Sequence, residues 1–231
     1  MWNPGTRYWY GRAPLPSTGV KTSPTEILHV VIALAVLTFD LTLVLPSGDA
    51  VPLADFFRIG LLTGQVLIAF AAAVTGFVLH EMAHKVAAQR AGYWAEFRMS
   101  IFGLLFSVLT AFYGFLFAAP GATVIGGMED PVAWGRTALA GPALNLTEGA
   151  VFGAIALATS FTSLRSLEPP LAILAFINVY FAAFNLIPFG PLDGHKVWRW
   201  KRGIWVGAFL LAAVPAAILF YAELSGLGPF A

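Results

Sequence analysis

The chain has 231 residues, a net charge of +1 and no cysteine; 58% of it is hydrophobic and only 11% charged. Soluble domains carry about 25% charged residues, so a mean hydropathy of +0.79 excludes an ordinary soluble globule. The missing cysteines exclude disulfides and thiolate metal sites, and no basic patch of the kind that binds nucleic acid is visible.

Residues 1–25 read as a polar, interfacial tail. The stretch is rich in Pro, Gly, Trp and Tyr and lacks the apolar core of a signal peptide. Residues 26–231 read as a single membrane-embedded domain. A spanning helix needs roughly 20 apolar residues, and the charges leave several stretches of that length. Ile27 to Leu45 is the first, interrupted by His29 and Asp40. Ile59 to Leu79, Met99 to Met128 and Pro169 to Leu192 hold no Asp, Glu, Lys or Arg, nor does Gly203 to Ala222. Arg136 to Arg165 encloses only Glu148. The expected architecture is all-α and polytopic, with about five to six transmembrane helices.

Lys and Arg gather on the cytoplasmic side of membrane proteins. Arg7, Arg12 and Lys21 therefore place the N-terminus inside, and span 1 (about 26–45) runs outward. Span 2 (about 59–86) returns, leaving Lys85, Arg90 and Arg98 inside. Arg98 and Arg136 flank 99–128, and both belong inside. That stretch is expected to dip into the bilayer and return, as a re-entrant segment of β-hairpin type; its glycines and Pro120 favour this over a helix across 101–118. Non-helical backbone at that depth must be buried in protein or line a wet cavity. The last inner loop is the basic "DGHKVWRWKR" (193–202), after which span 5 (about 203–222) runs outward.

Span 2 ends in "HEMAH" (80–84), which fits H-E-x-x-H. On a helix His80 and His84 lie one turn apart on one face. Two imidazoles so placed can share a zinc ion, with Glu81 beside them to accept a proton from the attacking water. Ionisable residues within spans are expensive and tend to be functional. Hydrolytic zinc sites use three protein ligands. Without cysteine the third must be His, Asp or Glu. Asp193, at the end of an uncharged stretch and on the same side as His84, is the best candidate, with His195 the runner-up. His29 reads as an interfacial histidine. Glu148 could line a cavity or form a structural pair.

Three stretches together resemble the site-2 proteases, the intramembrane zinc metalloproteases. They are "HEMAH", "LAGPALN" (139–145) and "FNLIPFGPLDGHK" (184–196), and the resemblance runs over about 60–200. It implies a zinc metalloendopeptidase with one zinc per chain, held by His80, His84 and Asp193, with Glu81 as general base. It implies that Asn145 lies near the metal, aiding the reacting carbonyl or holding substrate. Asn185 would hydrogen-bond an extended substrate backbone. A membrane-inserted hairpin between the first two core helices is also implied. The expected partners are the lipid bilayer and a transmembrane protein substrate, and the expected place is the cell membrane, with the active site towards the cytoplasm. The sequence sets no oligomeric state. A metal-ion transporter could use the same three ligands, but would have no need of a general base.

Overall fold

The computed structural model describes residues 19–45, 64–117 and 119–225. The N-terminal tail up to residue 18 and the first outer loop lie outside the described residues. Helix α1 covers Pro24–Val44, and α2 covers Gly64–Arg90. Strand β1 (Trp94–Met99) leads through α3 (Ile101–Phe112) to β2 (Gly121–Gly126). Then come α4 (Pro131–Ser160), α5 (Glu168–Asn185), the short α6 (Asp193–Trp200) and α7 (Arg202–Leu224). Among the described residues five helices are long and apolar enough to cross a bilayer: α1, α2, α4, the one ending at Asn185, and α7. The chain is a multi-pass, predominantly helical membrane protein.

Local signals explain the helix starts. Ser23 accepts from the Glu26 N–H ahead of α1, with Pro24 at the first helical position. Asp130 caps α4 through the N–H groups of Val132 and Ala133. In the core, Ala69, Ala72 and Ala73 of α2 pack with Leu37 and Leu41 of α1 and Ile177 of α5. Large apolar side chains point outward instead, among them Leu211, Ile218 and Tyr221 of α7 and Leu157 of α4. In water such a surface would be an association liability; in lipid it costs nothing.

The expected hairpin between α2 and the next core helix is present in altered form. Its two strands pair antiparallel with Phe97 opposite Thr123, so β1 begins five residues before the predicted segment. The strands are joined by a 12-residue apolar helix, too short to cross. Hairpin and helix, weighed as alternatives from sequence, are both there. Ser100, whose side chain accepts from the Gly103 N–H, starts α3, and its own N–H continues the ladder to the Pro120 carbonyl at 2.8 Å.

The register decides which way each backbone group faces. Residues in hydrogen-bonded pairs turn inward, and those between them turn outward. Phe97 donates its N–H outward to Glu26 at 3.0 Å, and Ala95 accepts outward from Gln89 at 2.9 Å. The outward residues of β2 are therefore Gly121, Thr123 and Ile125. Glu26 is fully buried and also accepts from Lys85 Nζ at 2.6 Å. This fixes α1, α2 and β1 to one another.

Candidate metal centre

Three ligand atoms converge. His84 Nε2 lies 3.0 Å from His80 Nε2 and 2.9 Å from Asp193 Oδ2; His80 Nε2 lies 3.4 Å from the same oxygen. All three residues are buried. His80 and His84 come from successive turns of α2, and Asp193 is the first residue of α6. Gly194 lets α6 start so close, because a Cβ there would strike the Leu186 carbonyl at the end of α5. Lys196, one turn on, holds the other Asp193 oxygen at 2.9 Å.

The ring tautomers follow from their outer partners. His80 Nδ1 meets the Asn145 side-chain oxygen, and His84 Nδ1 meets the Thr137 carbonyl at 2.7 Å. Neither oxygen has a proton to give, so each Nδ1–H donates and a neutral ring leaves Nε2 bare. Two bare nitrogens and a carboxylate oxygen at these separations repel one another unless a cation lies between them. A tetrahedral ion with ligands at about 2.0–2.1 Å spaces them about 3.3 Å apart, which the three distances bracket. The donor set, two imidazoles and a carboxylate, is that of a hydrolytic zinc site with one position left open. The residues fit zinc.

Burial works to raise the Asp193 pKa. With a proton on His84 in place of a cation, the charge on that ring, hydrogen bonds with His80 and His84, and the Lys196 ammonium outweigh it and hold the carboxyl well below the usual range. A cation between the rings acts in the same direction as a proton there.

Helix α4 closes the site from one side. A Cβ on Gly141 would stand 2.5 Å from His84 Nε2 and 2.6 Å from His80 Nε2, so only glycine lets this backbone approach. Asn145, one turn later, is fully buried. Its amide nitrogen donates to the Gly76 carbonyl at 3.1 Å and to Asn178 Oδ1 at 2.8 Å. Asn178 in turn donates to Thr75 Oγ1 at 3.0 Å. The Asn145 amide is thus engaged on both ends, and it lies behind His80 rather than in the open position. The carbonyls it meets belong to a π-helical stretch, Val74–Leu79, just before HExxH; such a bulge re-aims backbone groups and recurs at functional sites.

Glu81 is half-buried and faces β2. Its Oε2 accepts from the Thr123 N–H at 2.7 Å and lies 2.8 Å from the Thr123 hydroxyl. Asn185 is the last residue of α5, and its amide donates to Phe181 one turn back at 3.0 Å. His195 is outside the ligand group. Asp40 is buried in α1, with Ser107 of α3 beside its carboxyl.

Sequence reasoning passed over Thr123, Asn178 and Lys196. Asn178 left a trace, as a polar residue in the middle of an apolar span. Thr123 left none.

Over 150 residues the chain is 37% identical to protein MJ0611 of Methanocaldococcus jannaschii, provisionally named a zinc metalloprotease. The match covers 60% of this chain and 73% of that one. The chain belongs to the site-2 protease family. It is also 32% identical over 179 residues to Rip3 of Mycobacterium tuberculosis, which carries the same provisional description. That match takes in 75% of this chain but 40% of Rip3. No family model and no solved structure matches. As a member of the site-2 protease family the chain is a zinc metalloprotease, and zinc is its cofactor.

Proposed function

We propose that the protein hydrolyses peptide bonds in or near transmembrane segments of membrane-tethered substrates, as a step of regulated intramembrane proteolysis. The observation that carries this is the convergence of His80, His84 and Asp193 within a bundle of membrane-length helices, one residue from a glutamate. His80, His84 and Asp193 hold one zinc per chain, and Glu81 is the general base. When bound there, zinc supplies Lewis acidity and brings the pKa of a coordinated water towards about 7.

Glu81 takes the proton of the attacking water and later gives it to the leaving amine. Asn145 acts behind the metal, fixing the ring of His80 and its tautomer. A substrate helix satisfies its own amides and must unwind before it is cut. The outward groups of Gly121 and Ile125, on either side of Thr123, can receive the unwound stretch as an added strand, and Asn185 is the side chain assigned to bind its backbone. Lys196, Arg199, Lys201 and Arg202 follow Asp193 directly, which puts the active site towards the cytoplasm by the positive-inside rule. Residues 26–231 form a single protease domain on this reading.

The test pairs metal analysis with cleavage of a model transmembrane substrate in vesicles. Wild type should carry one zinc and cut. Glu81→Ala should keep its zinc and lose about 10²–10⁴-fold in rate, the usual share of general acid–base catalysis. Full cleavage by Glu81→Ala would end the assignment of Glu81 as general base, whereas a wild type that binds zinc and cuts nothing would leave metal transport as the successor.

A further inference from the structure

The carboxylate assigned as general base is gripped by a residue outside every motif considered above. Thr123, in the middle of β2, presents two donors to it. Its backbone N–H, turned outward by the strand register, reaches Glu81 Oε2 at 2.7 Å. Its hydroxyl stands 2.8 Å from the same oxygen and 3.0 Å from the backbone carbonyl of Glu81. The hydroxyl's single proton is thus shared between the side-chain and main-chain oxygens of one residue. Glutamate is among the side chains with most rotamer freedom to lose, and donors to an ionised oxygen make the stronger class of hydrogen bond. Both contacts with the carboxylate fall on Oε2, and Oε1 has no hydrogen-bond partner among the described residues.

We propose that Thr123 is a positioning residue for the hydrolysis. It commits Oε2 to the strand and turns Oε1 to the proton of the attacking water. This rests on the reading of Glu81 as general base. The alternative role for Thr123 is a staple that merely fastens β2 to α2. A staple would matter for folding or substrate docking, and a methyl in place of the hydroxyl would not touch the chemical step selectively.

Thr123→Val keeps the N–H and the β-branched shape and removes the hydroxyl. With the full-length protein in vesicles, kcat should fall about 10- to 100-fold, the range seen when an outer partner of a catalytic group is removed. KM and the zinc content should stay as in wild type. Thr123→Ser should recover most of the rate. Thr123→Val combined with Glu81→Ala should be no slower than Glu81→Ala alone, since the two act as a unit. Wild-type kcat in Thr123→Val, a serine variant as slow as valine, or a double variant slower than Glu81→Ala would each overturn the proposal. Continued cleavage by Glu81→Ala would instead overturn the reading beneath it. A measurement without turnover stands beside these: the infrared carboxylate stretch of isotope-labelled Glu81 should shift in Thr123→Val, and an unchanged band refutes the grip.

Discussion

The small sheet has two outer edges, and each meets a glutamate. At the β1 edge Glu26 accepts the Phe97 N–H while Gln89 caps the Ala95 carbonyl. At the β2 edge Glu81 accepts the Thr123 N–H. The hydrogen bonds are alike and the surroundings are not. Glu26 is wholly buried and neutralised by Lys85 at 2.6 Å, so its edge is closed. Glu81 is half-buried, has no ion-pair partner among the described residues, and sits beside His80 of the candidate metal centre; on either side of Thr123 the outward groups of Gly121 and Ile125 stay uncapped among the described residues. A carboxylate on a strand edge is structural where a cation completes it. It is available for chemistry where none does.

The largest effect expected tests whether a metal stands beside the β2 edge at all. Gly141→Ala places a methyl against both Nε2 atoms. Metal analysis should show zinc falling from one per chain towards none, and cleavage should disappear with it. Next comes the closed edge. Lys85→Met leaves Glu26 as a buried, unpaired charge, which should cost about 3–5 kcal/mol of stability, read from unfolding in detergent. Zinc per folded chain should not change; if it falls in step with stability, the two edges are not separable. The smallest effect sharpens the contrast at the open edge. Ile125→Pro removes an outward N–H without touching the ladder to β1. A lost main-chain hydrogen bond to substrate should raise KM about 3- to 10-fold with kcat unchanged, measured on the same transmembrane substrate.

What could be read before the fold was known follows from the range of each signal. H-E-x-x-H is a local pattern, and helical spacing brings His80 and His84 together without outside help. The spans show because charge is excluded from them, and Asp193 stands out because it ends one. The two strands were harder. Strand β2 lies in apolar sequence beside a short apolar helix, so hairpin and helix were competing readings of one stretch and the structure contains each; β1 carries Glu96 and Arg98 and lies ahead of that stretch. Thr123 was illegible because threonine is ordinary in a strand, and its partner lies 42 residues away. The π turn at Val74–Leu79 follows from packing against Asn145 and Asn178, and nothing in "VTGFVL" marks it. Asn145 was legible as a position but not as a direction: its amide faces His80 and the helix backbone.

The distance along the chain between the ligands has a consequence for biosynthesis. His80 and His84 are made before α4 and α5, whereas Asp193 begins the helix that follows them. While residues 85 to 192 are being made, the nascent protein therefore has both imidazoles without the carboxylate, and α4 and α5 are inserted in that interval. On the proposed function, proteolytic competence arrives only after the surrounding bundle is in place, and a product stopping before residue 193 would sit in the membrane inert.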